Sequence, residues 1–148
     1  MSDTTLKTRD HMQAEVILFR EKFGLPNSAT PRALTPEEAA LHIKLVREEF
    51  EEELVPALES GDIVEIYDAG IDVIYYLLGM LANAGMDIAP GFDEVQGSNM
   101  SKLDPVTKTA ILSRGPEIDG APLGKVLKGP DYYVPDLRAV LIEQGADL

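Results

Sequence analysis

Residues 62–85 read DIVEIYDAGIDVIYYLLGMLANAG, and this stretch decides the fold. Asp62 is a good N-cap, Gly85 a good stop, and no Pro lies between them. From Ala69 to Ala82, Asp72 is the only charged side chain among fourteen residues. A helix apolar on nearly every face is a buried helix, so the stretch predicts the central member of a helical bundle. A carboxylate in such a helix is costly unless it is paired or holds a metal ion. No basic residue lies near it in sequence. Asp72 is therefore the most informative residue in the chain. The competing readings are a salt bridge from a distant Lys or Arg, or a helix end that reaches water.

Working upstream, Ser60-Gly61-Asp62 is a turn, and Thr35-Pro36-Glu37-Glu38 is a helix start with Thr as N-cap, Pro first and Glu38 three residues on. The helix it opens should carry Leu41, Leu45, Val46, Phe50 and Leu54 inward, and Pro56 should end or kink it. Its last turns contain Glu48-Glu49-Phe50-Glu51-Glu52-Glu53. At about 100° per residue, Glu48, Glu52 and Glu49 share one arc, and Glu49 and Glu52 can reach one ion. Glu51 and Glu53 should point to solvent. The short turn makes the two helices antiparallel, so Glu65, Asp68 and Asp72, spaced three then four, form a stripe that can face the glutamates. All-oxygen ligation suits Mg²⁺ or Mn²⁺, which keep waters and accept substrate phosphates. His11 and His42 have no zinc spacing, and His42 reads as a boundary residue.

Charge repeats the message. Of 26 acidic and 13 basic residues, 13 acids and no Lys or Arg fall between Glu48 and Ser101, so the remainder of the chain is neutral. A block without counter-charge suggests an external cation, or else a solvated acidic face. An acidic protein argues against a nucleic-acid surface. Without Cys there is no disulfide or thiol chemistry, no apolar run is long enough to span a membrane, and the N-terminus MSDTTLKTRD has no signal-peptide core. The expectation is a cytoplasmic protein.

Elsewhere, residues 10–23 suggest a short helix with Val16, Phe19 and Phe23 on one side, stopped at Gly24. Pro90-Gly91 should break the chain before another short helix to about Gly97. Residues 104–136 hold five of the ten Pro, and the runs 109–112 and 125–127 flank Asp119-Gly120 as a small hairpin or an ordered arm. Asp136 to Gln144 reads as a last helix. The expected organisation is one domain over 1–148, with core helices at about 10–100 and a Pro/Gly-rich arm at about 104–148. Lys102 beside Ser98-Asn99-Met100-Ser101, and Lys125 and Lys128 in Gly124-Lys125-Val126-Leu127-Lys128-Gly129-Pro130, suit contact with phosphate oxygens, and Asn99 suits a base or phosphate.

Glu48-Glu49-x-x-Glu52 followed by a helix with an acidic pair resembles the EExxE…ExxD signature of the all-α nucleoside triphosphate pyrophosphohydrolases, the superfamily of MazG, dimeric dUTPases and phosphoribosyl-ATP pyrophosphohydrolase. The pattern Asp68-x-x-x-Asp72-x-x-Tyr75-x-x-x-Gly79, then Ser98-Asn99-Met100-Ser101-Lys102, then Gly124-Lys125-x-x-Lys128-Gly129-Pro130 and Tyr133-x-Pro135-Asp136, resembles phage-type MazG-like proteins, which include (d)GTP-cleaving members. The resemblance runs from about residue 12 to the end.

It implies an all-α bundle with an irregular C-terminal arm, assembled as a homodimer or homotetramer. It implies hydrolysis of a nucleoside triphosphate to monophosphate and pyrophosphate in the cytoplasm, the host's if phage-encoded. Two or three Mg²⁺ or Mn²⁺ ions would be held by Glu49, Glu52, Asp68 and Asp72. Glu48 would be the catalytic base; Asn99, Lys102, Lys125 and Lys128 would bind substrate; and the first helix, around Gln13, Ile17 and Phe19, would border the base. Glu65-Ile66-Tyr67-Asp68 fits ExxD literally, whereas the register of Tyr75 and Gly79 pairs Asp72 with Asp68, so the fourth ligand stays open between Glu65 and Asp68. Two other readings stand beside this one: a phosphoribosyl-ATP pyrophosphohydrolase-like enzyme, and a non-catalytic, cation-binding acidic oligomer.

Overall fold

The computed structural model describes residues 11–148. The polar N-terminal stretch, including Asp10, lies outside them. Contacts divide the described residues into two compact units, 90–140 forming the second and 11–89 with 141–148 the first.

In the first unit, α1 (His11–Lys22) leads through a loop to α2 (Pro36–Glu48). Thr35 caps α2 as expected, its hydroxyl accepting from the Glu38 amide while Glu38 accepts from the Thr35 amide. The chain then widens into a π-helical segment, Glu49–Leu54, before α3 (Val55–Ser60). Pro56 explains the change of register. It has no N–H for the Glu52 carbonyl, and in an α-helix its ring would press on that carbonyl. The turn before it closes on an i→i+5 bond, the Val55 N–H donating to the Phe50 carbonyl. The α-helix resumes with Pro56 in its first turn, where no N–H is needed. The end or kink expected at Pro56 is therefore a local widening and not an end.

Gly61 takes a left-handed conformation, φ 74°, and Asp62 caps α4 (Ile63–Asn83) through the Val64 and Glu65 amides. Helices α1, α2 and α3 and the π-segment all pack against α4. A further helix, α5 (Ile88–Met100), follows α4. Pro90 does not break it, because it lies in the first turn, and the helix passes Gly97.

The interior is smaller than the apolar pattern suggests. Buried apolar residues are Val16, Ala57, Ala69, Leu78, Ala82 and Ala84, mostly small ones. Helix α4 is not sunk on all sides: Ile63 is 79% exposed and Tyr67 73%, and Ile71 and Ile74 are exposed too. Leu41 and Phe50, expected inward, are exposed, while Leu45, Val46 and Leu54 are half-buried. Phe19 and Phe23 are also exposed. One chain supplies too few helices to cover every apolar stripe that its sequence carries. His42, expected at a boundary, is buried instead.

In the second unit, the runs at 109–112 and 125–127 meet in a single antiparallel bridge, Leu112 with Val126, flanked by bonds from Ser113 N–H to the Lys125 carbonyl and Leu127 N–H to the Ile111 carbonyl. A four-residue helix, α6 (Pro116–Asp119), lies between them. Asp136 caps α7 (Leu137–Glu143) through the Ala139 amide. No single helix among the described residues is long and apolar enough to cross a membrane.

Candidate active site

The acidic neighbourhood of the first unit centres on Glu49, at the joint between α2 and the π-segment. Its carboxyl is pushed above the usual carboxylate range, first by burial and then by the charges of Asp72, Glu53, Asp68 and Glu48. Those four side chains come from α2, the π-segment and α4, which packs against both. Among the described residues, no cation pairs with Glu49, Glu52, Glu53, Asp68 or Asp72 at salt-bridge distance. Glu48 has Lys44 at 3.7 Å, and Glu51 has Arg47 at 3.4 Å. Asp72 is half-buried rather than buried. The Tyr76 hydroxyl is pushed up as well, by burial and then by Glu49, Asp72 and Glu48, so it belongs to the same neighbourhood. The sequence reading had no signal for Tyr76, because an aromatic residue in an apolar run looks like core.

Glu53 is among the glutamates that share this field. An arc drawn at one α-helical angle per residue groups Glu52 with Glu48 and Glu49. In the structure the charges acting on Glu49 include Glu53, and Glu52 and Glu53 are both exposed. Glu51 points away, toward Arg47, as expected. Glu53 follows Glu49 by four residues, a spacing that puts both on one side of a helix, so Glu53 acts on Glu49 although it was expected to point to solvent.

Donor chemistry here fits a hard divalent cation: oxygen donors only, from facing helices, with no cation paired with Glu49, Glu52, Asp68 or Asp72 among the described residues. No three acidic or His side chains among the described residues converge at ligating geometry. The fit is therefore one of chemistry and neighbourhood.

Beside this cluster, Tyr75 follows Asp72 by three residues on α4. Its ring meets Phe19 edge-on at 5.6 Å, and Phe19 stacks on Phe23 at 4.3 Å. Phe23 is 69% exposed. Gln13 is buried with its amide already used, donating to the Met86 carbonyl and accepting from the Ile88 amide.

Asn99, Lys102, Lys125 and Lys128 belong to the second unit. Lys102 Nζ donates to Asn99 Oδ1 at 2.8 Å. Lys128 Nζ lies 4.6 Å from the centre of the Tyr132 ring, in a cation–π contact. The two lysine segments meet where the Gly129 N–H donates to the Lys102 carbonyl; a Cβ at Gly129 would stand 2.7 Å from the carbonyl oxygens of Lys102 and Leu103. Ser98 and Ser101 bind the backbone of Tyr133 alongside. The SNMSK, KGP and YVPD motifs are thus one local structure. Lys125 is exposed.

An all-helical chain with a carboxylate cluster on two facing helices defines a class of candidate phosphoanhydride hydrolases, and the comparisons narrow it. The model of the phosphoribosyl-ATP pyrophosphohydrolase family matches residues 16–99, from α1 through α4 into α5. The chain belongs to that family, whose members hydrolyse phosphoanhydride bonds. No curated protein matches it.

Proposed function

We propose that this chain hydrolyses a nucleoside triphosphate between the α and β phosphates. The observation that carries the reading is Glu49, held against Asp72, Asp68, Glu53 and Glu48 without a described cation, in a chain of a pyrophosphohydrolase family. We assign Glu49, Glu52, Asp68 and Asp72 to hold Mg²⁺ or Mn²⁺, in two or three ions. Asp68 is among the charges that act on Glu49, which supports Asp68 as the fourth ligand. Held there, Mg²⁺ or Mn²⁺ would supply positive charge for the triphosphate and would lower the pKa of a water molecule. Glu48 takes the proton of the attacking water. The water oxygen bonds to the α phosphorus, the bond to the bridging oxygen breaks, and pyrophosphate leaves. Lys102, Lys125 and Lys128 bind phosphate oxygens, and Asn99 orients substrate. The stack of Tyr75, Phe19 and Phe23, one turn on from Asp72, supplies a face for the base.

The motif pattern of Asp68 to Asp136 is similar to MazZ-type enzymes of phages, which supports guanine as the base. A phosphoribosyl-ATP-like substrate is equally compatible with the family. We further propose that a second copy covers the exposed apolar face of α4 in a dimer or tetramer, which light scattering tests directly. The deciding assay offers (d)GTP, the other (d)NTPs and phosphoribosyl-ATP with Mg²⁺ or Mn²⁺ and scores pyrophosphate against orthophosphate. Pyrophosphate from a (d)NTP supports the reading. Orthophosphate alone refutes attack at the α phosphorus, and turnover of phosphoribosyl-ATP alone reassigns the substrate.

A further inference from the structure

A second polar cluster, in the first unit, lies at the opposite end of α4 and takes no part in this chemistry. The loop at residues 24–34 crosses the C-terminus of α4. Ser28 N–H donates to the Ala82 carbonyl at 3.2 Å, Arg32 N–H to the Ala84 carbonyl at 2.9 Å, and Ser28 Oγ to the Asn83 carbonyl at 2.6 Å. These are carbonyls at the helix end, where the α-helical i→i+4 partners run out, and Ala82 also accepts from the Gly85 amide. The approach is close enough that a Cβ on Gly85 would collide with the Thr30 carbonyl oxygen.

Behind the loop, Asn83 is 2% exposed and His42 6%. The Arg32 guanidinium, which can only donate, approaches Asn83 Oδ1 at 3.3 Å. That orientation turns Asn83 Nδ2 toward His42 Nε2, at 3.0 Å. An amide NH₂ also only donates, so Nε2 must offer a lone pair, and the imidazole is neutral with its proton on Nδ1.

We propose that His42 is a pH-sensitive latch: a proton on Nε2 sets donor against donor at Asn83 and frees the 24–34 loop from the end of α4. The groups around it are consistent. Arg20 of α1 and Arg32 of the loop are positive; Glu38 of α2 is negative but held by both Arg32 nitrogens at 2.8 Å. Burial, then Arg20, hold His42 below the usual imidazole range, and Glu38 opposes them. Glu38 is itself held at about 2, chiefly by Arg32, so it stays ionised while His42 titrates. Arg20 ties down the same loop, through Asn27 Oδ1 and the Pro26 carbonyl. Asn27, Ser28 and Ala29 form one wall of a cavity of about 530 Å³, opposite Gln13 and Ile17, and an open latch reshapes it.

The test uses the full chain carrying His11→Gln, so that one imidazole remains. Amide hydrogen exchange of Ser28 and Arg32, corrected for intrinsic rates, is followed by NMR from neutral pH downward beside the ¹⁵N signals of His42. Protection of both amides should fall by about tenfold as His42 titrates. Amides in the middle of α4 should not follow. His42→Gln, whose amide oxygen accepts from Asn83 at every pH, should keep protection flat. Three results overturn the latch: protection unchanged through the His42 titration, the same fall in His42→Gln, or a proton on Nε2 at neutral pH. The last is read from the His42 signals of the otherwise unchanged chain, so it stands even if His42→Gln does not fold.

Discussion

Two glutamates on the helices facing α4 show opposite fates of the same side chain. Glu38 is pulled down to about 2 by Arg32 and by the Thr35 amide, and its charge is spent on holding a loop and capping a helix. Glu49 is pushed up by burial and by like charges, with no described cation to answer them. The first carboxylate is satisfied by its own chain. The second sits where an external cation would be favoured. A paired acid stabilises the native state, and an unpaired group of acids strains it, so the difference separates structure from site.

The largest effect should come from Asp72→Asn. Turnover should fall on the order of 10²–10³-fold, the scale of losing one group that stabilises transition-state charge. Stability should be unchanged or higher, because a like charge is removed. A melting temperature well below wild type would make Asp72 half of a structural pair and erase the contrast with Glu38.

Next comes the cation itself. A ligand that binds only the native state stabilises it by about 2.7 kcal/mol at a hundredfold excess over its dissociation constant. Millimolar Mg²⁺ or Mn²⁺ should therefore raise the melting temperature more than NaCl at matched ionic strength. Glu49→Gln and Asp72→Asn should lose that selective gain. Glu51→Gln should keep it, since Glu51 pairs with Arg47. An equal response in all three would mean a diffuse acidic face.

At the other end of α4, Gly85→Ala adds a side chain at φ 71° and against the Thr30 backbone. The cost should be about 1–3 kcal/mol, read by urea unfolding. The effect on cation-dependent stabilisation should be small. A loss of the Mg²⁺ response together with stability would show that the two ends of α4 are coupled.

The subtlest test sets the two glutamates against each other in pH. Glu49 has a raised folded value, so acidification from neutral relieves its strain, and Glu49→Gln should raise the melting temperature at pH 7 and lose that advantage as pH falls into the carboxylate range. Glu38 has a depressed folded value. Its stabilisation is present above the unfolded carboxylate pKa and is lost as pH falls toward about 2, so Glu38→Gln should lower the melting temperature at pH 7 and approach wild type in strong acid. Shifts of the same sign for both variants would remove the distinction.

Local signals carried far in this sequence. The Thr35 capping box, Asp62 as N-cap, and the stops at Gly24, Gly61 and Gly85 all act within one helical turn, and the structure has each of them in place. The uncompensated acids of residues 48–72 were equally legible, because charge needs no geometry to count. What the tertiary structure alone decided was register and burial. Pro56 announced a disturbance, but only the folded chain resolved it as a π-turn. Apolar periodicity marked which side chains avoid water without stating what covers them, so α4 read as a buried helix although one chain leaves Ile63 and Tyr67 bare. His42 looked like a boundary residue because its partners, Asn83, Arg32 and Arg20, come from three other segments. A cap is set by neighbours a few bonds away; a buried polar cluster is set by residues that meet only once the helices have packed.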